Sequence, residues 1–174
     1  MLTKFLECFF RWNVQLCAVR VERKTVDVLI GQSFGGNSNA IMADIALRIR
    51  TDYRLPMILQ REITDTLPRG IINLFVISKH RQKGDYLDTF EVLSQTERIM
   101  TTNGWSKALV LCHPWHAWRI AMVLKKMGIK AVFPLEIRNI PFDPNSAQWW
   151  TRNKFLWILR EIPARLIYLA KGWI

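Results

Sequence analysis

The stretch that most constrains this chain runs from Lys107 to Arg119 and reads K-A-L-V-L-C-H-P-W-H-A-W-R. A continuous apolar run, Ala108 to Cys112, stops at the turn-forming pair His113-Pro114. A helical pattern follows, with His116 and Arg119 three residues apart near its start. A buried strand feeding a helix through a tight turn is the unit from which open α/β sheets build their sites. The strand's carboxyl end meets the positive end of the helix there, so polar side chains and ligands collect at that point.

The rest of the chain repeats the alternation. Val26 to Ile30 is a β-branched run between charge and glycine, the first buried strand. A glycine-rich turn, Gly31 to Asn37, leads to a helix over Ala40 to Arg50, with Asn37, Ser38 or Asn39 able to cap it. Further apolar runs fall at Met57 to Leu59, Ile71 to Ser78 and Lys130 to Phe133. Helices are expected from Thr89 to Thr102, closed by Gly104, and onward from the His113-Pro114 turn to Met127, closed by Gly128. Gln60 to Gly70 leaves little room for a full crossover helix. These short links argue an α/β fold: a Rossmann-like, doubly wound, mostly parallel sheet of about five strands. Beyond Pro134 the pattern changes. Asp143-Pro144 reads as a cap and first turn, Trp149 to Leu159 as a helix that Pro163 breaks or restarts, and Ala164 to Lys171 as a last helix ending at Gly172. The expected organisation is one domain over 1–174, with an amphipathic N-terminal segment at 1–24, a sheet core at 26–134 and covering helices at 143–174.

Half of the residues are hydrophobic, enough for a full core in 174 residues. The net charge is +11, and from Arg119 onward ten Lys or Arg face only Glu136, Asp143 and Glu161. Such a surface favours anionic partners, or serves solubility alone. Cys8, Cys17 and Cys112 are odd in number and widely spaced, as in a reduced cytoplasmic protein rather than a disulfide frame. Residues 2 to about 20 read as an amphipathic helix, and the apolar spacing of Met1 to Trp12, interrupted by Lys4, Glu7 and Arg11, is too short and too charged for a signal peptide or span. The expected location is therefore the cytoplasm, at most against the inner face of a membrane.

Gly31-Gln32-Ser33-Phe34-Gly35-Gly36-Asn37-Ser38 nearly matches a P-loop, but Asn37 stands where the phosphate-binding lysine belongs. ATP hydrolysis of the usual kind is not expected. Backbone N–H groups around Gly31, Ser33, Gly35 and Asn37 remain candidates for holding a phosphate or carboxylate, beside the plainer reading of a turn that needs glycine. Asp88-Thr89-Phe90-Glu91 reads as a capping box, with Glu91 of chemical interest only if it shares a mouth with His116. His113 and His116 lack the companions of a metal site. More naturally, His116 shuttles a proton and Arg119 clamps an oxyanion. The tryptophans are read as core, and with no accompanying motif nucleic acid is not an expected partner.

In this order the pieces resemble the YdcF-like family, the SanA/ElyC group, over about residues 26–174. The signals are D-V-L-I-G with its glycine turn, L-D-T-F-E, L-V-L-C-H-P-W-H-A-W-R and the closing E-I-P-A-R-L-I-Y-L-A-K-G-W-I. The resemblance implies a Rossmann-like sheet with a site at the strand ends drawn from Gly31, Gly35, Thr89, Glu91, His116 and Arg119. It also implies S-adenosylmethionine as a possible cofactor type and a role in bacterial envelope or lipid-carrier metabolism. Departures are Asp88 for the usual Asn and an altered first turn. Three functions stay open: an enzyme on a phosphate-bearing or nucleotide-like molecule, using Glu91 and His116 with Arg119; a non-catalytic S-adenosylmethionine-type binder; and a basic protein peripheral to membrane or nucleic acid.

Overall fold

The computed structural model describes residues 25–78 and 87–174. The expected N-terminal helix, with Cys8 and Cys17, lies outside them. Five strands form one sheet: β1 (Val28–Gly31), β2 (Met57–Gln60), β3 (Leu74–Ile77), β4 (Lys107–Leu111) and β5 (Lys130–Val132). Their spatial order is β3-β2-β1-β4-β5, and every neighbouring pair is parallel. The expected doubly wound α/β sheet is therefore present, parallel throughout.

The apolar runs explain the order. β1, β2 and the apolar part of β4 are buried on both faces, as a central parallel strand requires, whereas β3 and β5 at the edges are partly exposed. The connections are α1 (Asn37–Tyr53), the single turn α2 (Arg61–Thr64), α3 (Thr89–Thr102) and α4 (Ala117–Lys126). The polar stretch after β2 accommodates only that one turn. Right-handed crossovers place α1 and α2 on one face and α3 and α4 on the other. The winding reverses between β1 and β4, so a crevice is expected outside their carboxyl ends.

The C-terminal part differs from expectation in two respects. Asp143-Pro144 starts no helix: the chain instead forms short 3-10 turns at Leu135–Asn139 and Trp149–Thr151. A single helix, α5 (Lys154–Ala170), then continues without interruption past Pro163. Asn153 caps it, its side chain accepting from the Leu156 N–H at 3.0 Å. Proline ends a helix when nothing else holds the turn. Here Trp157, Glu161, Ala164, Arg165 and Tyr168 are all buried on one face, and that anchorage carries the helix past the break. The helix lies over the carboxyl edge of the sheet: its Trp157 Nε1–H donates to the Trp115 carbonyl and its Glu161 meets Arg119.

Candidate functional site at the carboxyl edge of the sheet

The β1–α1 turn supplies one wall. Gly35 and Gly36 have φ of +104° and +53°, which favours glycine, and both also lack room. A Cβ on Gly36 would run into the Asp143 carboxylate, and one on Gly35 would come within 2.9 Å of Ser146 Oγ. The turn's amides are already engaged by side chains. The N–H groups of Phe34 and Gly35 donate to Asn39 Oδ1 at 3.0 and 3.2 Å. Ser33 N–H donates to Gln60 Oε1 at 3.0 Å, and Asn37 N–H to Asp143 Oδ2 at 2.8 Å. Asp143 thus occupies the position at the head of α1 where an anion would sit in a P-loop. Hydrogen bonds from the Asn37 and Asn145 N–H groups hold its carboxyl below the usual range. Gly31 is the last residue of β1, where a Cβ would meet Leu59.

The β4–α4 turn supplies the other wall. The Phe34 ring stacks on the His113 ring at 3.7 Å and sits against Trp157 and Phe142, filling the crevice between β1 and β4. His113 and His116 are buried. Burial pushes the His113 pKa down to about 3 against a weaker pull from the Pro141 carbonyl. His116 is held well below its ordinary value by burial first, then by Arg119, His113, Arg165 and Arg160. Both rings are neutral near pH 7.

A continuous polar chain leads from His116. Arg119 Nη2 donates to His116 Nε2 at 3.1 Å, and Thr89 Oγ1 lies 2.9 Å from the same nitrogen. Since a guanidinium only donates, Nε2 is an acceptor and the ring proton sits on Nδ1. Arg119 Nη2 is also 3.1 Å from Glu161 Oε2, and Glu161 Oε1 accepts from Arg165 Nε at 2.9 Å. Arg165 lies over the Trp118 ring, and Arg119 over Tyr168 and Trp157. Two guanidiniums share the Glu161 carboxylate in this buried cluster.

Among the described residues, five buried side-chain atoms lack a hydrogen-bond partner: Gln32 Oε1, His113 Nε2, His116 Nδ1, Arg119 Nε and Glu161 Oε2. The last is ion-paired without hydrogen-bond alignment. All five belong to this edge; the Pro141 carbonyl faces His113, which leaves the nitrogens of His116 and Arg119 as the partnerless donors. Buried polar groups are normally paired, so such a concentration calls for an occupant or a function. A cavity of about 10 Å³ nearby, against Gly31, Gln32 and Thr96, has room for no more than a water.

Of the residues singled out from sequence, Thr89, His116 and Arg119 meet within hydrogen-bond distance. Gly31, Ser33, Gly35 and Asn37 line the opposite turn at the same edge, with the amides of the last three directed to protein acceptors or turned within the loop. Glu91 starts α3, its N–H donating to Asp88 Oδ1 at 2.8 Å as the capping pattern requires. Its carboxylate does not bond His116, whose Nε2 is held by Thr89 and Arg119 and whose Nδ1 has no partner. Sequence reasoning missed Glu161, Arg165 and Asp143. For Glu161 a signal existed: it is the sole acid of the last helix, four residues before an arginine. Among the described residues no three His, Cys, Asp or Glu side chains are grouped to hold a metal ion, and no helix is long and apolar enough to cross a membrane. Compared with known proteins, the chain matches no family model, no curated protein and no solved structure, so the YdcF-like resemblance rests on its motifs alone.

Proposed function

We propose that this protein binds an anionic small molecule, phosphate-bearing or nucleotide-like, at the carboxyl edge of its sheet, as the YdcF-like resemblance implies. One observation carries the reading: buried nitrogens of His116 and Arg119 lie without hydrogen-bond partners at the switch point, beside the Arg119 and Arg165 guanidiniums. Donors left unpaired in a low-dielectric place are complementary to oxyanions and not to neutral or cationic groups. Entry requires the Phe34 ring to leave its stack on His113, and the segment around Phe142 and Asp143 to lift with it.

Within this reading, binding without chemistry is favoured over catalysis. His116 Nε2 is already committed to Thr89 and Arg119, and Glu91 does not bond the imidazole, so no acid–base pair is assembled. A binder of the S-adenosylmethionine type would direct its carboxylate, rather than its sulfonium, at Arg119.

Isothermal titration with inorganic phosphate, ATP and S-adenosylmethionine tests the reading. Arg119→Ala should weaken the phosphate-bearing ligand by about 1.5–3 kcal/mol, the worth of a charge-assisted bond. Equal affinity of wild type and variant, or no binding of any of the three, would remove the support for this site.

A further inference from the structure

The last helix has its polarity turned inside out. Its buried face carries Glu161, Arg165 and Tyr168 with Trp157 and Ala164, while its outer face carries Phe155, Leu159, Pro163, Leu166, Ile167 and Ala170. Four of these are large apolar side chains well exposed to water: Phe155 at 67%, Ile167 at 50%, Leu159 at 49% and Leu166 at 41%. They recur at helical spacing and form one stripe along a 17-residue helix, roughly 25 Å at 1.5 Å per residue. A surface helix of a water-soluble domain has the opposite pattern. Scattered exposed leucines need no explanation, but a continuous stripe marks an interaction surface.

The rim identifies what covers it. Arg152, Lys154 and Lys171 are exposed near the two ends of the helix, and Arg160 is half-buried beside the stripe. The sole acid of the helix, Glu161, is buried between Arg119 and Arg165, so the exposed helix surface carries no negative charge. Three of the cations sit over aromatic rings: Lys154 over Trp115, Arg160 over Trp150 and Lys171 over Trp173. Trp149 is itself 46% exposed just before the helix. An apolar stripe bordered by Lys, Arg and Trp is the composition of a helix lying in a lipid–water interface. A second copy of the chain fits poorly, because a two-fold contact through this face would bring the same cations together with no acid to answer them.

We propose that the outer face of α5 docks on an anionic bilayer surface, with Phe155, Leu159, Leu166 and Ile167 entering the acyl boundary and Lys154, Arg160 and Lys171 meeting head-group phosphates. The helix lies in the plane of the surface and spans nothing. Docking is independent of the ligand reading above, although the inner face of the same helix supplies Glu161 and Arg165 to the cluster at Arg119.

Vesicle co-sedimentation decides it, with phosphatidylcholine vesicles containing phosphatidylglycerol compared with phosphatidylcholine alone. The full chain should partition at least about tenfold better onto the anionic vesicles, with added salt reducing the difference. Phe155→Ser combined with Ile167→Ser should lower partitioning at least about tenfold, circular dichroism confirming an unchanged fold. Should that variant fold poorly, the charge reversal Lys154→Glu with Lys171→Glu, at fully surface positions, should produce the same loss. Wild-type protein remaining in the supernatant, or either surface variant binding undiminished, overturns the proposal. So does a dimer in sedimentation equilibrium that the Phe155→Ser, Ile167→Ser variant dissociates, since the face would then belong to a second copy.

Discussion

At the scale of single residues, Glu161 has the most consequence for its size. It is fully buried, and its two carboxylate oxygens face Arg119 and Arg165, each held in a desolvated place. Glu161→Gln preserves the shape and removes the charge. The two guanidiniums would then lose the carboxylate they share, and breaking a buried pair in this way costs about 3–5 kcal/mol. Urea denaturation should show that loss in the midpoint at unchanged slope, and a change below about 1 kcal/mol would mean the cluster is effectively solvated. The same residue shows where sequence reading stops. His116 and Arg119 are legible because they sit just past an apolar strand, where open sheets place sites. Glu161 reaches Arg119 from a helix forty-two positions away in the chain, and nothing local says that the acid points inward. Arg160 precedes it and Ile162 and Pro163 follow it, and that local context names no partner.

At the scale of elements, periodicity and punctuation identify the strands and the main helices of the sheet core. α3 begins at Thr89 and ends at Thr102, as its Asp88 cap and Gly104 indicate. The segment after β5 was not legible in that way. Asp143-Pro144 has the form of a helix start, yet Asp143 accepts hydrogen bonds from Asn37 across the fold and from Asn145 within its own turn. A tertiary donor with an unfilled helix N-terminus behind it outcompetes a local cap. That contact also explains the paired glycines of the first turn, whose purpose is close approach of the 143–151 segment more than phosphate binding. Pro163 is the other exception, retained inside α5 because the buried face on either side holds the helix together. Its ring removes one N–H and crowds the preceding turn, and its side chain is exposed. Pro163→Ala should therefore stabilise the protein by about 1–3 kcal/mol. Thermal unfolding checks this. An unchanged or lowered midpoint would mean that a bend at Pro163 is needed for the inner face to fit the sheet edge.

At the scale of the whole molecule, the carboxyl edge is closed by groups that respond to acid in the same sense. His113 packs between Phe34 and Phe142, and His116 between Thr89, Arg119 and Trp157. Both are neutral in the fold, with His113 near 3 and His116 well below 6.5, because burial and the neighbouring guanidiniums disfavour a charge. In the unfolded chain both take up a proton at about pH 6.5. The unfolded state therefore binds more protons than the folded state below that pH, and stability falls as pH falls. The contribution is fully present above about 6.5 and is lost progressively down to the folded values. Asp143, with its carboxyl lowered by the Asn37 and Asn145 amides, adds a loss of the same sign further down, below its ordinary 3.8. Between about pH 6 and pH 4.5 the slope should exceed the one proton, about 1.4 kcal/mol per pH unit at 2.303RT, that His113 alone supplies. His113→Phe keeps a ring to stack on Phe34 and should remove about one proton from the slope, whatever it does to stability at pH 7. The measurement is the unfolding free energy at a series of pH values for both proteins. Parallel curves would mean that His113 is protonated in the folded state, and that the Phe34 stack opens to water on its own.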